Sequence, residues 1–431
     1  MIAKREGDLH DPMSTPLNIL VVYRNRESAL RPTTLEHLRS FRRYSGHRCD
    51  YVNVEYATLP SRGALERYDL VILHYLCHAN RWSGPAAFER SMEPLSSLAT
   101  ARVRVALLAQ DEFIHTDLLE WMIDRFGVRT VFSVAPPHEW QTIYRTDKRR
   151  DLQVHQVLTG YIDDETVRRI RQLGANRPTA DIDLGYRTAG RPYAWFGRHG
   201  MLKEDIAIAF SRAGAAAGLR CDISTEQRDT ILGDDWYRFL MRCRWTFGVE
   251  SGTSIIDRDG SIRRRTEEFT SKHPAATFPE IEAQCFPGID GTARLFAISP
   301  RHLEACITGT AQVLTEGDYN GVLRPGDHYL PLRKDFSNLT QVVDVLADDR
   351  VRQGLIDRTW NDIVTSGTYS YRAFVNQVIT ASMSSAPPVP RVSASQRWDS
   401  ALSHWKSLAR MQRSRVARTL GLRPPVPNLE I

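Results

Sequence analysis

Several things are missing from these 431 residues, and each absence narrows the function. No apolar run approaches the ~20 residues needed to span a bilayer. The six cysteines (Cys49, Cys77, Cys221, Cys243, Cys285 and Cys306) form no C-x-x-C pair and no zinc-like spacing. That scatter predicts reduced, mostly buried thiols and no metal site. No G-x-G-x-x-G follows the first apolar run, where the chain reads Arg24-Asn-Arg-Glu-Ser28, which argues against a hydride-transferring dehydrogenase. Met1–Pro16 is polar and mixed in charge, unlike a signal peptide. The expected location is therefore the cytoplasm.

A surplus of one charge sign is also missing from most of the chain. The formal net charge is +6. Eight basic residues between Ala386 and Ile431 (Arg391, Arg397, Lys406, Arg410, Arg413, Arg415, Arg418 and Arg423) face only Asp399 and Glu430. The tail thus carries the whole surplus and the body is neutral, so only the tail needs an anionic partner. Within it Trp398, Leu402, Trp405, Ala409, Val416 and Leu420 recur at helical spacing. A basic amphipathic helix over 397–420 suits an anionic membrane surface, and docking on the protein's own body is the competing reading. No nucleic-acid module accompanies it, and no nucleic-acid partner is expected.

What is present is a rhythm. Leu17–Tyr23, Leu70–Tyr75, Val103–Ala109 and Thr130–Val134 are short apolar runs of the kind found in buried parallel strands. Helical stretches at Thr34–Tyr44, Pro85–Met92 and Thr116–Phe126 alternate with them. Asn176–Pro192, with breakers at Pro178, Gly185, Gly190 and Pro192, reads as a connection. A second series follows: strands at Tyr193–Phe196, Arg244–Val249, Gln312–Thr315 and His328–Leu332, with helices at Lys203–Gly218, Leu303–Cys306 and Leu339–Leu346. The expected fold class is α/β, with two doubly wound Rossmann-like domains facing a cleft and a C-terminal helical tail. The expected divisions are a leader (1–16), a first domain (17–180), a second domain (181–365), a helix crossing back to the first domain (366–385) and the basic tail (386–431).

Four clusters carry chemistry. The most specific is Ser299-Pro-Arg-His-Leu-Glu304, followed by Gly309-Thr310, Gly317-Asp-Tyr-Asn-Gly321 and His328-Tyr329. A helix carboxylate such as Glu304, facing a cleft, can accept hydrogen bonds from two ribose hydroxyls, and Arg301 can pair with phosphate. Gly185-Tyr-Arg187 with Phe196-Gly-Arg-His-Gly200 and Lys203 is the second cluster. Free N–H groups near Gly197, with Arg198 and Lys203, suit a diphosphate. The third, Gly248-Val-Glu-Ser-Gly-Thr-Ser-Ile-Ile-Asp257, presents Glu250, Ser251 and Gly252 after a strand. The fourth is Gln110-Asp-Glu-Phe113, where Asp111 or Glu112 could take a proton from a hydroxyl, with His74 and His78 as rivals.

The first three segments resemble the C-terminal domain, and the fourth a first-domain block, of group-1-type glycosyltransferases of the GT-B type, in particular the branch related to spore-maturation glycosyltransferases. That branch carries S-P-R-x-F-E-A, G-Y-R, G-x-E-S-G-x-S-x-x-D and Q-D-E-Y blocks, and this chain has Leu303 and Phe113 at the Phe and Tyr positions. The resemblance implies an enzyme that moves a sugar from a nucleotide-diphosphate-sugar to a saccharide, lipid-linked or other hydroxyl acceptor. It also implies a setting in bacterial surface-polysaccharide or glycoconjugate synthesis. On this reading Ser299, Arg301, Glu304, Lys203, Arg198, Gly197, Glu250, Ser251 and Gly252 bind the donor. Asp111, Glu112 or His74 is the catalytic group, with no cofactor and no metal. The Glu-x7-Glu pattern of retaining relatives is broken by Phe296, so their stereochemistry does not transfer. A nucleotide-sugar epimerase and a non-catalytic assembly scaffold are the competing readings.

Overall fold

The computed structural model describes residues 15–27, 30–175, 180–188 and 193–385, and the basic tail with its membrane reading lies outside them. The first sheet contains β1 (Asn18–Tyr23), β2 (Arg48–Asn53), β3 (Leu70–Leu73), β4 (Arg104–Leu108), β5 (Thr130–Ser133) and β6 (Gln153–Gln156). All are parallel, in the order β2-β1-β3-β4-β5-β6. Side chains alternate across such a sheet, so β1 serves two cores. Leu20 and Val22 enter one apolar cluster, and Ile19, Val21 and Tyr23 enter the other.

The second sheet is built from β7 (Ile182–Arg187), β8 (Cys221–Ser224), β9 (Cys243–Gly248), β12 (Ala311–Thr315) and β13 (Leu330–Leu332). Its order is β13-β12-β9-β7-β8, again all parallel. A short antiparallel pair, β10 (Ser251–Thr253) with β11 (Leu295–Ala297), stands apart. The expected doubly wound α/β class is therefore what the chain adopts.

Two local expectations are corrected. Asn176–Pro192 is not merely a connection, because β7 lies inside it, between β8 and β9. Gly185, read as a breaker, is a close-packing position where a Cβ would lie 2.2 Å from the Cys243 sulfur. Tyr193–Phe196 is not a strand. Ala194–Phe196 is a 3-10 turn, and Trp195 is buried in the apolar cluster under the first sheet.

Five helices position the site: α1 (Pro32–Tyr44), α2 (Arg198–Ala216), α3 (Asp234–Arg242), α4 (Pro300–Thr308) and α5 (Tyr371–Ser384). Proline at the start of α1 and α4 supplies a preset φ where no intrahelical N–H bond is needed. Helix α5 lies on the first sheet. Tyr371, Phe374, Val375 and Val378 share a cluster with Ile19, Val21, Phe41 and Ile72. Backbone bonds join Ile162 to Tyr369 and Tyr371 to Ile162 at 2.8 and 3.0 Å. Among the described residues no helix is long and apolar enough to cross a membrane. Five cysteines are buried, Cys221 is exposed, and all six are free.

Candidate functional site

Helix α4 is fixed at the carboxyl end of the second sheet by its buried face. The His302 ring lies 3.1 Å from Gln312 Oε1 and 3.2 Å from the Val249 carbonyl, while Leu303, Cys306 and Ile307 pack below. The opposite side of α4 then faces a cleft of about 210 Å³. Ser299, Arg301 and Glu304 line it together with Thr33 of α1 and Trp236 of α3. The Arg301 guanidinium donates to the Arg187 carbonyl at 2.7 Å, which holds it over the end of β7. Burial pushes the Glu304 carboxyl above its ordinary range, while a hydrogen bond from Trp236 and the charge of Arg301 oppose that shift.

Lys203, on α2, belongs to the same group. Its pKa is lowered to about 8, by burial first and then by the Arg301 charge, with Asp111 opposing both. Asp111 comes from the first domain, just after β4, so two cations and two carboxylates from both domains act on one another here. Burial raises the Asp111 pKa, opposed by Arg81, the Trp82 indole and Lys203. Its backbone is left-handed, with φ 55°. The buried Arg81 cinches the loop by donating to the carbonyls of Gln110 at 2.8 Å and Ile114 at 2.5 Å. The Trp82 indole N–H reaches Asp111 Oδ2 at 3.2 Å.

The neighbouring candidates face elsewhere. Glu112 points into the first domain and accepts from Val134 and Ala135 N–H at 2.9 and 3.1 Å, and from the hydroxyls of Ser133 and Tyr144. Those bonds occupy the carboxylate, and it is 2% exposed, so it has no route to an acceptor. His74 is fully buried. One ring nitrogen meets His37 at 3.0 Å and the other accepts from Leu76 N–H, which leaves neither for substrate. His78 is equally enclosed, between the Leu108 carbonyl and Arg81.

Gly197 and Arg198 do not join the cluster either. At the start of α2 a protein carboxylate stands where a phosphate was expected. Asp290 accepts the Arg198 N–H at 3.0 Å and the Ser254 hydroxyl at 2.6 Å. The Arg198 guanidinium turns to Glu282 at 3.0 Å. Glu250 is buried and accepts the N–H groups of Asp318 and Tyr319 at 3.1 and 2.8 Å, anchoring the loop after β12. Ser251 and Gly252 are ladder residues of β10, opposite Ala297 and Phe296. Phe296 stacks on the His199 ring, centroids 3.7 Å apart, and the Lys334 ammonium lies 4.9 Å from the Phe296 ring centroid.

Trp236, which lines the cleft, and Trp82, which bonds Asp111, are marked by no motif. Their only sequence signal is a tryptophan beside charged positions, which surface packing produces equally well. Among the described residues no group of three or more His, Cys, Asp or Glu side chains could hold a metal ion.

No protein-family model matches the chain, and no curated protein does. Solved structures of low similarity do. HepE of Anabaena in complex with UDP-glucose is 11% identical, over 85% of this chain and 99% of that one, with a TM-score of 0.48. An alpha-glucosyltransferase in complex with UDP and a DNA 13-mer is 11% identical, over 86% and 100%, with a TM-score of 0.47. Sucrose-phosphate synthase of Thermosynechococcus elongatus is 13% identical, over 85% and 98%, with a TM-score of 0.42.

Proposed function

We propose that this chain is a glycosyltransferase that moves a sugar from a nucleotide-diphosphate-sugar to a hydroxyl acceptor. The observation that carries the reading is a cleft at the carboxyl end of the second sheet lined by Glu304 and Arg301, with Lys203 in electrostatic reach of both Arg301 and Asp111 of the first domain. Such crevices are where open α/β sheets take ligands. Glu304 accepts the ribose hydroxyls. Arg301 and Lys203 stabilise the diphosphate as it leaves, a role that buried, preorganised cations fill without a metal. Asp111, across the cleft, takes the proton of the attacking hydroxyl, and its raised pKa suits it to that step.

The test is a thermal-shift series with nucleoside diphosphates and their sugar conjugates, since a ligand bound only by the folded state raises Tm. At least one nucleotide should raise it, and Glu304→Ala should abolish that response. A wild-type protein indifferent to every nucleotide would remove the basis of the proposal.

We further place this activity in bacterial surface-polysaccharide or glycoconjugate synthesis at the inner face of the cytoplasmic membrane. The support is the motif resemblance and the charge of residues 386–431. Vesicles rich in anionic lipid should float the full chain and leave behind a chain ending at Pro390. Equal flotation of both would exclude the tail as the anchor.

A further inference from the structure

The least expected contact in the cleft is between two helices distant in sequence. Trp236, on α3, donates its indole N–H to Glu304 Oε2 at 2.7 Å. No other hydrogen bond to this carboxylate exists among the described residues. The indole is itself held: its ring lies nearly parallel to Phe239, at 23° with centroids 5.6 Å apart. Its backbone N–H bonds the Gly233 carbonyl at 3.2 Å.

Indole is a donor and never an acceptor. It therefore fixes Oε2 as the pinned oxygen and leaves Oε1 without a protein partner in the cleft both residues line. A carboxylate pinned in this way holds one orientation, with one wholly free oxygen and one spare lone pair. That is the acceptor pattern two vicinal hydroxyls require. Leu232, 59% exposed, and Thr230 line the same cleft.

We propose that Trp236 is a positioning residue that clamps Glu304 in the orientation that recognises a ribose diol, so that the cleft selects ribonucleotides over 2′-deoxyribonucleotides. This rests on the donor-site reading above. A charge-assisted hydrogen bond to each hydroxyl makes the selection about tenfold or more. Trp236→Phe keeps an aromatic ring and removes the N–H, freeing the carboxylate to rotate.

The experiment measures binding of UDP, ADP and GDP, each beside its 2′-deoxy counterpart, by calorimetry on the full chain. For the diphosphate that binds, the wild type should favour the ribo form about tenfold or more, and Trp236→Phe should bring the ratio close to one by weakening the ribo form alone. On a Glu304→Gln background the same substitution should leave the ratio unchanged. If Trp236→Phe does not fold, β-(3-benzothienyl)alanine at position 236 replaces it, an isostere lacking the N–H. An undiminished ribo preference in either variant overturns the clamp, as does a wild type that binds both forms equally. Those outcomes leave the donor site standing. Failure of all six ligands to bind the wild type removes the donor site and the clamp together.

Discussion

Asp111 and Glu112 are adjacent acids at the end of one strand, and the structure gives them opposite surroundings. Asp111 accepts a single indole N–H and faces the cations of the second domain, whereas Glu112 is spent on four donors of its own domain. Asp111→Asn should lower kcat on the order of 10²–10⁴-fold, the range for removing a general base, and leave Tm nearly unchanged. Glu112→Gln turns an acceptor into an NH2 aimed at donors. It should cost about 2–4 kcal/mol of stability, seen as a fall in denaturation midpoint. The reverse pattern would exchange their roles. Nothing in the Gln-Asp-Glu triplet distinguishes the two acids. The left-handed turn at Asp111 does so, and it depends on Arg81, some thirty residues earlier in sequence.

At the level of elements, the readable strands of the first sheet are the buried ones. β1, β3, β4 and β5 stand inside or near the centre of the first sheet and are continuous apolar runs. β2, β6 and β8 are edge strands with sequences RCDYVN, QVHQ and CDIS. An edge needs no apolar run, because pairing on one side and solvent on the other suffice, so these strands left no pattern to read. The site was legible to a similar degree. Motifs mark Ser299, Arg301 and Glu304, which line the cleft, and Lys203 and Asp111 beside it, but not the occupant of the α2 N-terminus. Asp290 reaches it from 92 positions away, in a segment with no motif. The β10–β11 pair explains why its glycine is there. Gly252 has φ 118°, and a Cβ would stand 1.7 Å from the Leu295 carbonyl oxygen, which is backbone and cannot yield. Gly252→Ala should cost about 3 kcal/mol or more through strain and overpacking. A chemical denaturation midpoint unchanged by this substitution would contradict the ladder register.

The two domains share one core. Trp195, Ile255, Ile262, Phe286 and Leu295 of the second pack into the apolar cluster beneath the first sheet, and Ile114 bridges to Asp257. Glu36 of α1 is partly buried beside Glu304 of α4, the two lining one small pocket. Its pKa is raised to about 7, by burial first and then by Asp163 and Glu304, against the Thr166 hydrogen bond and Arg43. The folded state therefore holds this proton more tightly than the unfolded chain, whose ordinary value is 4.5. Stability from this group is complete below about pH 4.5 and is lost as pH rises through about 7. The loss is on the order of 3 kcal/mol. Across pH 5 to 8, Tm of the wild type should fall relative to Glu36→Gln, whose side chain does not titrate. Parallel curves would show that Glu36 does not carry the effect.

The return of α5 to the first sheet also fixes an order of events during synthesis. One face of that sheet, Ile19, Val21, Ile72 and Phe132 among others, is covered by Tyr371, Phe374, Val375 and Val378. All six strands of the sheet have left the ribosome long before those side chains exist. At roughly 5–20 residues per second, the wait is on the order of ten to forty-five seconds. Through that interval the nascent chain carries an open apolar surface, and the first domain to be made is the last to be closed.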